Sequence, residues 1–479
     1  MKANKTFLLI LMVVAALVGL YFVPQMSVGK TDLRKVCIWS DVSGDEGAQS
    51  AANGLNQEDA PAVQPLYKAR PDSIPEGMIP IEEIADSMGY NREMDRFYAA
   101  LDSADSRIVR IAYFGDSFIE GDILSASLRD LLQEKFGGRG VGFVDIHSPN
   151  AGFRTTVMEF SEGWDEYTAV DPKERGFDPK LQGINGRYFI PQGTASITMR
   201  GQQRVYAEHL DTMYSATLYF TPDSIEPQIE YSINKGEYKP LEPRGSYAEY
   251  ALDEDTDAVQ SKSPLIARTV NAKFGRINMK VNGGGRYYGL ALEGRKGIVL
   301  DNFSMRGSVG YHLGMMPMKT LKRFAKLRPY DLIILHYGLN MASPTTRTYK
   351  PYCDKFKDCI NRIRKAYPQA SILLVSISNR DNRTVSGEYA TLKGVQELVT
   401  AQQEMAKEKK IAFWNLQQAM GGSGSMVKMQ QQGQANRDFA HINFQGGKVL
   451  GKLFFDVLMN GKMNYDRRES EKILVDSEE

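Results

Sequence analysis

A serine, an aspartate and a histidine in this chain have the placement that nucleophilic acyl chemistry needs. Ser117 closes Gly115-Asp116-Ser117, directly after the largely apolar run 108–114 and before the helical pattern 123–136. A hydroxyl there lies where a buried strand gives way to a helix, beside N–H groups able to hold an oxyanion. Asp438 and His441 stand three residues apart far downstream. At that spacing the carboxylate orients one ring nitrogen while the other faces a hydroxyl. Gly307 and Asn340 each follow a further strand-like run, in Arg306-Gly307-Ser308 and Gly338-Leu339-Asn340. Ester cleavage requires a nucleophile, a base titrating near neutrality, a group to orient it, and donors for the tetrahedral oxyanion. Ser117, His441 and Asp438 fill the first three roles. The Ser117 N–H, the Gly307 N–H and the Asn340 side-chain amide are the candidate donors. Each piece alone is a common turn or cap; their joint placement carries the reading. Because Gly115 and Ile119 flank the motif, it is not the Gly-x-Ser-x-Gly elbow of α/β-hydrolases.

The other reactive residues have plainer readings. His336 falls inside a strand-like run, 331–336, as a core or supporting residue. His312 follows the Gly307 segment and reads as structural, while His147 and His209 read as surface groups. Five histidines without paired spacing give no metal pattern. Cys353 and Cys359 fall on different faces of one helix, and Cys37 is isolated, so no disulfide framework emerges. The site therefore needs neither metal nor cofactor. A net charge of +1 gives no electrostatic ground for a nucleic-acid partner.

The elements that must position these residues form a recognisable order. Lys2 and Lys5 precede 6–23, an apolar, uncharged stretch of near bilayer-spanning length. Neither a small-x-small cleavage pattern nor a lipid-attachment cysteine follows in Pro24-Gln25-Met26-Ser27. Residues 1–23 are thus read as a signal anchor ahead of a cleaved signal peptide. Either reading exports the body to the periplasmic or cell-surface face, and the anchor reading leaves 6–23 in the inner membrane. Residues 24–75 read as a flexible spacer rich in Gly, Ala, Gln, Asn and Asp. Helices are expected at 81–88 and 92–101, and strand–helix alternation begins at 108. From 150 to 297 short period-2 runs separated by turn clusters point to an all-β sandwich or jelly roll. Alternation returns over 298–462, with buried strands at 297–300, 331–336, 372–376 and 411–414 and helices at 318–327, 352–367, 389–409 and 444–458. The pattern predicts one three-layer α/β domain with a parallel sheet, made from 76–149 and 298–462 and interrupted by the insert. The polar tail 463–479 is expected to be mobile.

The order Ser, Gly, Asn, His resembles the SGNH (GDSL-type) hydrolase superfamily. Phe114-Gly115-Asp116-Ser117-Phe118-Ile119-Glu120-Gly121-Asp122, then Ser127-Leu128-Arg129, then Phe136-Gly137-Gly138-Arg139-Gly140-Val141-Gly142-Phe143 looks like one branch of it, the bacterial peptidoglycan O-acetylesterases. Those enzymes carry a β-sandwich insert of carbohydrate-binding-module type, and here too the insert falls before Asp301-Asn302-Phe303-Ser304-Met305-Arg306-Gly307. The resemblance implies a three-layer α/β/α SGNH-hydrolase (flavodoxin-like) domain and a serine esterase acting through an acyl-serine intermediate. Its partner would be an O-acetylated glycan, with muramyl O-acetyl groups of peptidoglycan foremost. The same constellation would also serve an acetylesterase for another polysaccharide, or an O-acetyltransferase with a sugar hydroxyl as acceptor. A glycan-binding protein with a decayed site would lack a catalytic residue, and none is lacking. Phe118 stands where those enzymes often have His, which bears on substrate fit. Trp164, Tyr287 and Tyr288 of the insert are candidates for stacking on sugars.

Overall fold

The run 108–114 has no polar–apolar alternation, so a strand built from it needs cover on both faces. In the computed structural model it becomes the strand Ile108–Gly115, paired parallel to Gly297–Ser304 on one side and to Leu332–His336 on the other. Ser371–Val375 and Ala412–Trp414 extend the sheet in parallel, and Ile81–Glu82 closes its edge antiparallel. Numbered along the chain, the five parallel strands lie in the order 2-1-3-4-5, the flavodoxin-like arrangement. Side chains alternate between two cores. Val109, Ile111 and Tyr113 join Phe97, Leu128 and Phe454 from the helices Asp95–Leu101, Ser125–Phe136 and Phe444–Ser477. Ala112 and Phe114 join Phe324, Phe356 and Val395 from Met318–Leu327, Lys350–Ala366 and Gly394–Lys409.

The structure describes residues 68–477, apart from 149–150, 171–175, 243–263, 347 and 385, together with two short strands, Ser27–Val28 and Thr31–Asp32. Those two pair antiparallel within a separate unit, Met1–Leu66. The apolar stretch 6–23, most of the spacer and Cys37 lie outside the described residues. Among the described residues no helix is long and apolar enough to cross a membrane.

Among the described residues the insert is one connected, nine-stranded antiparallel sheet rather than two separate ones. The 15-residue strand Arg187–Gly201 belongs to both halves, pairing with Gly285–Glu293 near its start and Arg276–Asn282 near its end. The sheet curls, so Ile197, Met279 and Val281 share one core with Leu218, Phe220 and Leu290. Gly142–Val144, ahead of residue 150, already belongs to this sheet through its pairing with Gly285–Glu293.

Three sequence expectations are corrected. The stretch 81–88 is not a helix: after Ile81–Glu82 the Asp86 carboxylate accepts the N–H groups of Met88 and Tyr90, which turns the chain. The helix expected from 389 begins at Gly394, because Tyr389–Thr391 pairs with Asp381–Arg383 as a hairpin. Residues 463–477, expected to be part of a mobile tail, continue the helix Phe444–Ser477. Arg468 reaches Asp95 at 2.6 Å and Asp72 at 3.2 Å, and Asn464 exchanges hydrogen bonds with the Ser73 backbone. These contacts also fix residues 70–73, the end of the expected spacer.

Candidate active site

Gly115 ends its strand in a place where only glycine fits. A Cβ there would lie 2.8 Å from the Ile119 side chain and 3.0 Å from the His336 carbonyl oxygen. The chain then turns at Asp116 into the 3-10 turn Ser117–Asp122. The buried Asp116 carboxylate accepts the Phe118 N–H at 3.0 Å and the Leu339 N–H at 3.2 Å, joining the turn to the loop that carries Asn340. Burial pushes this carboxyl up to about 6, although both N–H bonds and His441 oppose the rise.

Ser117 Oγ lies 2.9 Å from His441 Nε2, and His441 Nδ1 lies 2.7 Å from Asp438 Oδ2. A carboxylate only accepts, so Nδ1 carries the hydrogen and Nε2 is left to accept from the serine hydroxyl. Asp438 Oδ1 also accepts the N–H groups of Ala440 and His441, both at 3.1 Å. Partial burial raises the Asp438 carboxyl, but the His441 ring and these two N–H groups outweigh it and hold it below its ordinary value. The turn includes Phe439 at φ +54°, a left-handed conformation costing about 1–3 kcal/mol for a non-glycine residue. Two contacts hold it: the Phe439 carbonyl accepts the Asp381 N–H at 2.9 Å, and its ring packs 4.4 Å from Tyr389.

Gly307 and Asn340 are tied to this frame. Met305 N–H donates to the Gly115 carbonyl at 3.0 Å, the Arg306 guanidinium pairs with buried Glu120, and Gly307 takes the positive φ of +79° that bends the loop. Asn340 Nδ2 donates one hydrogen to the Ser308 carbonyl at 2.9 Å. The loops after three neighbouring strands are thereby joined at the switch point of the sheet, where such folds bind ligands.

The remaining histidines separate clearly. His336 is buried against Tyr113 at 3.0 Å, and burial lowers it to about 3; His312 is likewise lowered to about 4, beside Ser308. Both are neutral supports. His147 is exposed, but His209 is not a surface group: it is buried and bonded to Asp130 at 2.8 Å. Tyr287 and Tyr288 are core residues, and Trp164 is half-buried with its ring N–H on the Ser196 carbonyl. Among the described residues no cluster of three His, Cys, Asp or Glu could hold a metal ion.

Sequence reasoning missed the residues that brace the site. Asp122 is buried between Arg129 at 3.1 Å and Arg154 at 2.8 Å, with Ser125 and Thr156 donating to it. Burial alone would raise it, yet the two guanidinium groups hold it far below the ordinary carboxylate value. Arg154 lies just ahead of the insert's edge strand, Val157–Thr168, so this pair fastens that approach to the far end of the serine turn. Asp122 and Arg129 stand in the motifs quoted above, as Asp116 does, but nothing in the sequence marks Arg154 as their partner.

Neither a family model nor a curated protein matches the chain in sequence. Among solved structures a peptidoglycan O-acetylesterase superposes with a TM-score of 0.63 at 18% identity, covering 80% of this chain and 99% of that one. A putative GDSL-like lipase from Parabacteroides merdae reaches 0.26 at 13% identity, covering 34% of this chain and 74% of that one. A family two carbohydrate esterase from Cellvibrio japonicus reaches 0.25 at 9% identity, covering 64% and 99%. The last two overlaps are too low to carry an argument. The likeness to the first is one of fold, and it matches in architecture the resemblance to the SGNH hydrolase superfamily that the chain's motifs carry.

Proposed function

We propose that this chain is a carboxylic ester hydrolase, a serine esterase that releases O-acetyl groups from a cell-envelope glycan, with peptidoglycan as its substrate. The observation that carries the reading is the hydrogen-bonded series Ser117–His441–Asp438. It stands at the crevice of a fold shared with a peptidoglycan O-acetylesterase. The apolar stretch 6–23, read from sequence as an export segment, agrees with an envelope substrate. In the proposed reaction His441 Nε2 takes the Ser117 proton as Oγ bonds to the acetyl carbon, and Asp438 stabilises the imidazolium. The oxyanion is met by the Ser117 N–H, which heads a helical turn and has no partner inside it, by the Gly307 N–H, and by the second hydrogen of the Asn340 amide. When the C–O bond to the sugar breaks, His441 returns its proton to the leaving sugar oxygen. Water, deprotonated by the same nitrogen, then releases acetate from the acyl-serine.

The test is acetate release by the purified protein from O-acetylated peptidoglycan, run beside acetylated xylan and a chromogenic acetate ester. Preference for peptidoglycan supports the full reading. Preference for xylan moves the substrate and keeps the chemistry, and no release from any of the three overturns both.

A further inference from the structure

Two half-exposed aromatic pairs flank the turn that carries His441. Tyr389, 46% exposed, packs on Phe439 inside that turn, with ring centroids 4.4 Å apart. Phe153, 47% exposed, packs on Phe444 just beyond it, at 5.0 Å. One edge of the Phe153 ring also comes close to Gly121, where a Cβ would lie 2.6 Å from it, and Gly121 is in the same turn as Ser117. Tyr389 belongs to the hairpin whose neighbouring residue Arg380 reaches the Leu339 carbonyl, next to Asn340. One pair thus borders the insert's approach to the serine turn and the other borders the Asn340 loop.

Large aromatic rings left half in water forgo stabilisation unless something covers them. Between Phe439 and Phe444 the apolar Ala440 and Ile442 are buried and only His441 and Asn443 reach the surface, so the rings do not join into the continuous apolar groove that an acyl chain needs. A pyranose chain has the alternating character that fits, with C–H faces for the rings and hydroxyl edges for the polar residues between them. Resting on the esterase reading above, we infer that Phe153–Phe444 and Tyr389–Phe439 are sugar-stacking faces on either side of the reaction centre. The protein would then take acetyl groups from residues inside a glycan chain, with sugars bound on both sides of the one that reacts.

The test measures binding of unacetylated β-1,4-linked N-acetylglucosamine oligomers, from one to six sugars, to the full chain. Acetate release from an acetylated hexamer and from a small acetate ester is measured in parallel. Affinity should rise with length, and Phe153→Ala and Tyr389→Ala should each weaken hexamer binding about tenfold. Their loss of acetate release should be about tenfold greater on the hexamer than on the small ester, and Tyr389→Phe should restore both. Length-independent binding, alanine variants that bind like wild type, or equal losses on hexamer and small ester would overturn the inference. Length-dependent binding that needs both rings, with no acetate released from any ester, would instead uphold the stacking faces and refute the esterase reading.

Discussion

Asp116→Asn separates what the fold needs from what the chemistry needs. The carboxylate is buried, and burial lifts it to about 6 from an ordinary 3.8. That gap is worth about 3 kcal/mol against the ionised form at neutral pH. Asparagine of the same shape removes this cost. It also places an NH2 group where Oδ2 accepts the Leu339 N–H at 3.2 Å, a lost buried bond costing about 1–3 kcal/mol. The two effects oppose each other and are similar in size, so net stability at pH 7 should change by less than about 2 kcal/mol. Activity has no such compensation. Leu339 precedes Asn340, and a donor facing a donor pushes that loop away from Ser117. Losing one oxyanion donor costs about a hundredfold or more, so displacing it should lower kcat by about ten- to a hundredfold.

The pH dependence follows from the same group. Its folded value lies above its unfolded one, so between about pH 4 and 6 the folded protein holds the extra proton. Wild-type stability from this carboxyl is therefore full below about 4, falls as pH rises through 6, and is level above that. Asp116→Asn lacks this fall, so the variant should compare best with wild type at pH 7–8 and worst near pH 4. Urea unfolding at several pH values, with kcat on a chromogenic acetate ester, measures both halves. A kcat like wild type refutes the clamp between the two loops. A variant more than about 3 kcal/mol less stable at pH 7, with the slope unchanged, refutes the account of the buried charge.

What could be read from the sequence was local. Ser117 and His441 were legible because acyl chemistry restricts residue type and because each stands beside an apolar run. The same runs disclosed the parallel strands, since a strand covered on both faces leaves no other pattern. The missed features join residues remote along the chain. Arg468 is polar and looks exposed until Asp72 and Asp95, nearly 400 residues upstream, are placed against it. His209 is paired only once Asp130 comes near, and Asp122 is a turn residue until Arg154 arrives. Tyr287 and Tyr288 show a different limit. Alternation assigns such residues to opposite faces of a strand, yet both faces are covered here.

Three further outcomes are expected. Ser117→Ala and His441→Ala should abolish acetyl-ester hydrolysis with circular dichroism and melting unchanged, and Asp438→Asn should be severe but milder because the ring loses its orienting charge. Wild-type turnover in any folded variant would refute its role. Asn340→Ala should lower kcat with little change in KM, since its amide acts on charge present only in the transition state; a pure KM effect would make it a substrate-binding residue instead. The last outcome concerns the helix end that the sequence presents as a mobile tail. The Arg468 side chain is almost fully buried and neutralises Asp95 at 2.6 Å and Asp72 at 3.2 Å. Arg468→Met leaves those carboxylates partly buried without it, so unfolding stability should drop by about 3 kcal/mol. Asp95→Asn in the same chain should recover part of that loss, because the pair is then removed rather than broken. Urea midpoints measure both variants. A single variant as stable as wild type would mean that residues 463–477 do not hold the fold together.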